Sequence, residues 1–107
     1  MRIKKIKAAV VGFGNVGKES AIAIKESPDM MLAGIILRNP AKIPEVKEQI
    51  QNIKIVTDIR QLGEIDVVIL AIPSRAVPEV APTYLKMGIN TVDSFDIHRD
   101  AVMNLRK

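Results

Sequence analysis

The fold of this chain is decided by one glycine-rich stretch, Gly12-Phe13-Gly14-Asn15-Val16-Gly17. It follows an apolar run at residues 6–11 and opens a helical pattern that extends over residues 15–27. A strand, a glycine turn and a helix in this order are the context in which a G-x-G-x-x-G string predicts dinucleotide binding. The stretch therefore predicts the first βα unit of a nucleotide-binding parallel sheet.

Each glycine of the stretch has a distinct expected task. Gly12 permits a tight turn off the strand, Gly14 lets a pyrophosphate approach the backbone, and Gly17 lets the helix pack close to the sheet. The first-turn amides of the helix lack intrahelical partners and lie at the positive end of its dipole, so they form an anion site. The alternative is that the glycines only make a tight turn. We expect the cofactor to be held here by Gly12, Phe13, Gly14, Asn15 and Val16.

The composition limits the class of protein. A chain of 107 residues, 48% of them hydrophobic, suits one globular domain with one core. The chain has no cysteine, which excludes disulfides and thiol nucleophiles and favours a cytoplasmic location. The net charge of +4 comes from scattered lysines, and only three residues are aromatic, so we expect attraction for phosphate ligands and no nucleic-acid partner. No apolar run reaches membrane-spanning length, and no spacing indicates a metal site.

The rest of the chain alternates between strand and helix patterns. Apolar runs predict further strands at residues 31–37, 53–56, 66–72 and 89–92. Residues 41–51 predict a loop or a short helix, and Thr57 and Asp58 are expected to cap a brief helix that reaches Gly63. The spacing in the first helix predicts a buried face made by Val16, Ser20, Ala23 and Ile24.

A last helix is predicted over residues 77–87, with its regular part starting near Pro82 because proline disrupts a helix interior. The whole pattern predicts an α/β fold, a Rossmann-like doubly wound parallel sheet in three α/β/α layers, with residues 1–107 as one cofactor-binding domain that stops after the fifth strand. In such a sheet the first and fourth strands flank the ligand cleft. The residues expected to line that cleft after the fourth strand are Ile72, Pro73 and Ser74; the alternative role for Ser74 is a helix cap.

The end of the second strand bears on the choice of cofactor. An NAD site has an acidic residue about 20 residues beyond the glycine turn. Here no Asp or Glu occurs from residue 33 to 41, and Arg38 and Asn39 occupy the strand end. A guanidinium binds a 2′-phosphate through paired charge-assisted hydrogen bonds, so the pattern favours NADP over NAD. The alternative is an ordinary surface arginine.

A polar stretch, Asp93-Ser94-Phe95-Asp96-Ile97-His98-Arg99-Asp100, follows the fifth strand. Asp93 and Asp96 are candidate catalytic residues, because their carboxylates can hold an ammonium group or accept a proton. A single histidine at a helix start, such as His98, is more typical of a capping or surface residue.

The chain resembles the N-terminal part of meso-diaminopimelate dehydrogenase. The matching pieces are residues 9–17, Ser27-Pro28-Asp29-Met30, Pro73-Ser74 and, most specifically, residues 91–98. The resemblance implies an NADP-dependent oxidative deamination of meso-2,6-diaminopimelate to L-2-amino-6-oxopimelate. It implies that the pyrophosphate is held by Gly12, Gly14, Asn15 and Val16, and the 2′-phosphate by Arg38. It also places Pro73 and Ser74 beside the nicotinamide, and Asp93 and Asp96 at the reacting amino centre.

The resemblance also sets expectations about partners. It covers about the first third of such an enzyme, so the substrate domain and the dimer surface are expected in a C-terminal segment outside this chain, or in a complementing second chain. We expect a small amino acid as substrate, a homodimer, and little turnover by this chain alone. Members of the family often carry a serine and a second arginine around the 2′-phosphate, whereas here Leu37 and Asn39 flank one arginine.

Two other functions fit part of the pattern. A stand-alone NAD(P)-binding or redox-sensing module would need the glycine turn but not the polar stretch at residues 93–98. A sugar or polyol oxidoreductase would typically show Glu-Lys-Pro after the fifth strand, where this chain has Asp93-Ser94-Phe95.

Overall fold

The computed structural model describes residues 5–93 of the chain. Within that range strands and helices alternate, in the order β1 Ile6–Val11, α1 Asn15–Glu26, β2 Met30–Ile36, α2 Ile43–Gln49, β3 Lys54–Val56, β4 Val67–Leu70, α3 Val77–Lys86 and β5 Asn90–Asp93. Short 3₁₀ turns lie at Pro40–Lys42, Ile59–Leu62 and Ser74–Ala76. The predictions for Asp96 and His98 fall outside the described residues.

The strands form one parallel sheet in the order β3-β2-β1-β4-β5, which confirms the predicted doubly wound Rossmann-like fold. Val10 in the centre of β1 pairs with Ile35 of β2 on one side and with Ile69 of β4 on the other. The strand order reverses between β1 and β4. Their carboxyl ends therefore meet at the edge where a doubly wound sheet binds its ligand.

The core lies on both faces of the sheet. In β1, Ala8 and Val10 pack among the residues that meet α1 and α2, whereas Ala9 and Val11 pack among those that meet α3. All four of these residues are fully buried. Two buried faces explain why the strand sequence is continuously apolar after Lys7 and does not alternate. Within residues 5–93 no helix has the length and apolar character needed to cross a bilayer.

The brief helix predicted before Gly63 is the 3₁₀ turn Ile59–Leu62, and its cap is the predicted one. The Asp58 carboxylate accepts a hydrogen bond from the Arg60 backbone N–H at 2.9 Å, and the Gln61 side chain accepts one from the Asp58 N–H at 3.3 Å. The pair forms a capping box that satisfies both exposed donors.

Two details of the helices differ from the prediction. Ala23 is exposed and Ala21 is buried instead, because the buried stripe of α1 starts at Gly17 and continues through Ser20, Ala21 and Ile24. The regular part of α3 starts at Val77 and not near Pro82. Pro82 lies on the exposed side of α3, where water can satisfy the one backbone carbonyl that its missing N–H leaves free.

Candidate functional site

The turn after β1 requires glycine at its first position. Gly12 has φ +91°, and its N–H donates to the carbonyl oxygen of Ile36 at 2.9 Å. A Cβ at this position would lie 2.5 Å from the backbone oxygen of Ala71, at the end of β4. The chain therefore passes too close to the neighbouring strand end for any side chain, and it does so in a conformation that L-residues rarely adopt.

Gly17 holds α1 against that turn. A Cβ on Gly17 would lie 2.6 Å from the carbonyl oxygen of Gly12 and 3.2 Å from the Cβ of Ala71. The missing side chain lets the first turn of α1 lie directly over the ends of β1 and β4. This is the close helix–sheet packing that the motif predicts.

Gly14 differs, because nothing in the described chain occupies the space beside it. It is the N-cap of α1, and no heavy atom lies within 4 Å of the position that its Cβ would take. The first helical hydrogen bond runs from the Lys18 N–H to the Gly14 carbonyl at 2.9 Å. The helix start has no side-chain cap and no acidic residue in its first turn. The first amides of α1 have no intrahelical partners and lie next to this open space, and they fit an anionic pyrophosphate.

A cavity of about 400 Å³ adjoins this turn. It brings together six of the predicted cofactor-binding residues, namely Gly12, Phe13, Gly14, Arg38, Asn39 and Ile72. Asn15 and Val16 start α1 beside it. Pro73 is exposed and does not line the cavity, and Ser74 begins the 3₁₀ turn that leads to α3. The two strand ends and the glycine turn therefore converge on one cleft.

The same cavity is lined by three polar residues that were not predicted from the sequence, Lys42, Glu45 and Gln49. Lys42 ends the 3₁₀ turn and caps the start of α2, and Glu45 and Gln49 lie within α2. Spacings of three and four residues place all three on one helical face. Val46 and Ile50 are buried and fix α2 against the sheet. Reading residues 42–50 as a helix with this buried pair would have found the polar face.

Asn39 sets the direction in which the chain leaves β2. Its side-chain oxygen accepts a hydrogen bond from the Ala41 N–H at 3.0 Å, and its carbonyl accepts one from the Lys42 N–H at 3.1 Å. Pro40, at the first position of the 3₁₀ turn, needs no such partner. The cap fixes the backbone of Lys42 at the cavity wall.

The charge of Arg38 acts toward α3 as well as on the cavity. Tyr84 on α3 is 7% exposed, and burial raises the pKa of its hydroxyl. The negative charge of Asp58 raises the pKa of Tyr84 further, whereas the positive charge of Arg38 lowers it. Asp58 remains ionised down to low pH, because hydrogen bonds from the side chain and backbone of Arg60 lower its pKa to about 2.

Asp93, the catalytic candidate within the described residues, ends β5. It is half-buried and pairs in register with Leu70, the last residue of β4. Asp93 therefore lies at the same carboxyl-end edge of the sheet as the cavity, although it does not line the cavity itself. Asp96 belongs to the residues that the structure does not describe.

A larger hollow of about 530 Å³ lies near the opposite ends of the strands. It is walled mainly by apolar side chains, among them Ile6, Ile24, Met30 and Val67. It contains none of the predicted site residues, and its apolar wall suits no phosphate group. The smaller cavity at the glycine turn is therefore the candidate site.

Strand order, glycine turn and open helix start together define a dinucleotide-binding domain. Residues 6–92 match the oxidoreductase family with an NAD-binding Rossmann fold, and the chain belongs to that family. Its curated relatives include the meso-diaminopimelate D-dehydrogenase of Bacteroides fragilis, 41% identical over 98% of this chain and 34% of that protein. The enzyme of the same name from Ureibacillus thermosphaericus is 36% identical over 90% of this chain and 29% of that protein.

Solved structures agree with this relationship. The diaminopimelate dehydrogenase of C. glutamicum in complex with DAP is 32% identical, with a TM-score of 0.63 over 90% of this chain and 29% of that one. An engineered D-amino acid dehydrogenase bound to NADP⁺ is 31% identical, with a TM-score of 0.65 over 91% of this chain and 29% of that one. The predicted resemblance is thus confirmed. The chain spans about a third of the length of the curated relatives it matches.

Proposed function

We propose that this chain is the cofactor-binding part of an NADP-dependent amino acid dehydrogenase. The reaction proposed is the oxidative deamination of meso-2,6-diaminopimelate to L-2-amino-6-oxopimelate. The observation that carries the proposal is the open helix start at Gly14, next to Arg38, in a chain similar to diaminopimelate dehydrogenases. Bound NADP⁺ would supply the hydride acceptor for this chemistry, in which water is consumed and ammonia is released.

The residues of this chain have separate tasks in that proposal. The amides of Asn15 and Val16 and the backbone at Gly12 and Gly14 hold the pyrophosphate, while Arg38 binds the 2′-phosphate. Ile72, Pro73 and Ser74 lie along the nicotinamide side. Asp93 and Asp96 hold the substrate ammonium group, accept the proton that it loses as hydride leaves the carbon, and orient that carbon.

Preference for NADP is supported by two features. Arg38 lies at the cavity, and β2 ends without the carboxylate that binds the ribose hydroxyls of NAD. A related enzyme, the engineered D-amino acid dehydrogenase, has been solved with NADP⁺. A carboxylate at position 38 would repel the 2′-phosphate and accept a hydrogen bond from a 2′-hydroxyl instead.

Fluorescence titration of the purified chain with NADPH and NADH tests the cofactor assignment. The parent should bind NADPH more tightly, and Arg38→Asp should reverse that order. Lys47→Asp makes the same charge change at an exposed position of α2 that does not line the cavity, so it should keep the parent preference. Equal binding of both cofactors by the parent would overturn the 2′-phosphate assignment.

Catalysis needs a second test, because the substrate must be held within reach of the nicotinamide. We expect little turnover of meso-2,6-diaminopimelate by the chain alone. Turnover should appear when the chain is joined to, or mixed with, the C-terminal part of the Bacteroides fragilis relative, and Asp93→Asn should abolish it. Cofactor binding without turnover in that fusion would instead favour a stand-alone binding module.

A further inference from the structure

We propose that Lys42 and Glu45 together set the cofactor preference of this site. Lys42 binds the 2′-phosphate as a second cation beside Arg38, and Glu45 opposes it by favouring the 2′-hydroxyl of NAD(H). The inference rests on the proposed function of the cavity as a nicotinamide dinucleotide site. It assigns to one short segment both the acceptance of NADP(H) and a measurable tolerance of NAD(H).

Lys42 and Glu45 lie on the wall of the candidate site. Both line the cavity that contains Arg38 and the glycine turn. Their backbone is fixed at both ends, by the Asn39 cap before Lys42 and by buried Val46 after Glu45. A side chain on a fixed backbone loses less freedom when it binds a ligand than one on a loose loop.

Among the described residues, the cavity wall carries three charged side chains. Arg38, Lys42 and Glu45 are all exposed, and none of them forms an ion pair with another residue in the 5–93 range. Their charges therefore remain available to a ligand. A 2′-phosphate carries up to two negative charges, which one guanidinium does not neutralise. Lys42 supplies the second positive charge through its ammonium group.

Glu45 explains why the preference should be moderate. Glu45 follows Lys42 by three residues, which places both on the same helical face, and both line the cavity. A carboxylate repels a phosphate but accepts a hydrogen bond from a ribose hydroxyl. The acidic residue missing from residues 33–41 is thus supplied from α2 by the fold.

Titration of four single variants with NADPH and NADH tests the proposal. Lys42→Gln should weaken NADPH binding about tenfold, as expected for one lost charge-assisted hydrogen bond, and leave NADH binding within about twofold. Glu45→Gln should strengthen NADPH binding and weaken NADH binding, each about threefold. Lys47→Gln and Glu48→Gln remove the same charges from exposed positions of α2 outside the cavity lining and should change neither affinity.

Two further measurements exclude a structural effect. Lys42→Arg should retain the NADPH preference, and Lys42→Gln should reduce the salt dependence of NADPH binding but not of NADH binding. Equal effects of Lys42→Gln and Lys47→Gln, or an equal loss of both cofactors in Lys42→Gln, would overturn this inference alone. A parent chain that binds neither cofactor would overturn the proposed function, and this inference with it.

Discussion

The two walls of the candidate site are built by opposite means. The turn after β1 is made of backbone and depends on glycine. A Cβ on Gly12 or Gly17 would lie only 2.5 Å or 2.6 Å from a neighbouring carbonyl oxygen. The segment after β2 is made by side chains, with the Asn39 cap at its start and exposed Arg38, Lys42 and Glu45 along it.

This difference separates two tasks. A backbone wall can bind only what every dinucleotide carries, the pyrophosphate, because its amides are the same whatever the sequence. A side-chain wall can distinguish a 2′-phosphate from a 2′-hydroxyl. Substitutions in the first wall should therefore change folding or binding of both cofactors, and substitutions in the second should change the ratio between them.

The largest effect is expected for Gly12→Ala, which should lower the free energy of unfolding by about 3 kcal/mol through a backbone clash and a strained φ. Urea denaturation followed by circular dichroism measures it. Gly88→Ala is the matched control, because Gly88 also has positive φ but no atom within 4 Å of a Cβ. It should cost only about 1 kcal/mol. Equal losses in the two variants would show that Ala71 gives way and that the turn is not sterically fixed.

Gly14→Ala should leave stability nearly unchanged and should weaken cofactor binding instead. Its φ of −75° suits alanine, and the space beside it is open, so the free energy of unfolding should stay within about 0.5 kcal/mol of the parent. The new methyl group would lie where the pyrophosphate approaches, and affinity for NADPH and NADH should fall together, about tenfold. Paired titrations measure this. A changed ratio of the two affinities would contradict the assignment of this wall to the pyrophosphate.

The backbone wall could be predicted from the sequence because it depends on absent side chains. The spacing of Gly12, Gly14 and Gly17 is itself the geometric requirement. The strand positions were predictable from apolar continuity, but their ends were not. Leu37 is buried and apolar, yet it falls outside β2 because β1 stops at Val11, which pairs with Ile36. The residue at which a strand ends is set by its pairing with strands that are distant in sequence, so it cannot be predicted from the sequence of that strand alone.

The side-chain wall was only half predictable. The absence of Asp and Glu from the end of β2 indicated Arg38 as the phosphate ligand, because this inference needs only the sequence at the end of one strand. Lys42 and Glu45 required knowledge of where α2 packs, because Pro44 in a charged segment indicated only a loop or a short helix. Proline is compatible with the first turn of a helix, and α2 buries only Val46 within its length. One buried residue in seven gives no clear period.

A smaller effect is expected for Asn39→Ala, which removes the hydrogen bond to the Ala41 N–H. Loss of this exposed cap should lower the free energy of unfolding by about 0.5 to 1 kcal/mol. It should also loosen the backbone of Lys42 and weaken NADPH binding more than NADH binding. Asn39→Ser keeps a capping oxygen and should retain most of both properties. Weaker binding of both cofactors to the same extent would indicate that this cap supports the whole cavity and not the side-chain wall.

The smallest expected effect is that of the Arg38 charge on the pKa of Tyr84, and it can be measured without cofactor. Tyr84 is the one tyrosine of a chain without tryptophan, so its ionisation can be followed by ultraviolet absorbance. Burial raises its pKa above 10.0, so its contribution to stability is complete below that pH and is lost as the pH rises through the folded value. Because the Arg38 charge opposes this shift, Arg38→Gln should raise the pKa of Tyr84 further. Arg75→Gln, which removes an exposed arginine that does not act on Tyr84, should leave it unchanged. The same pKa in both variants would show that the Arg38 charge does not act on Tyr84, and the effect of Arg38 would then be confined to the cavity.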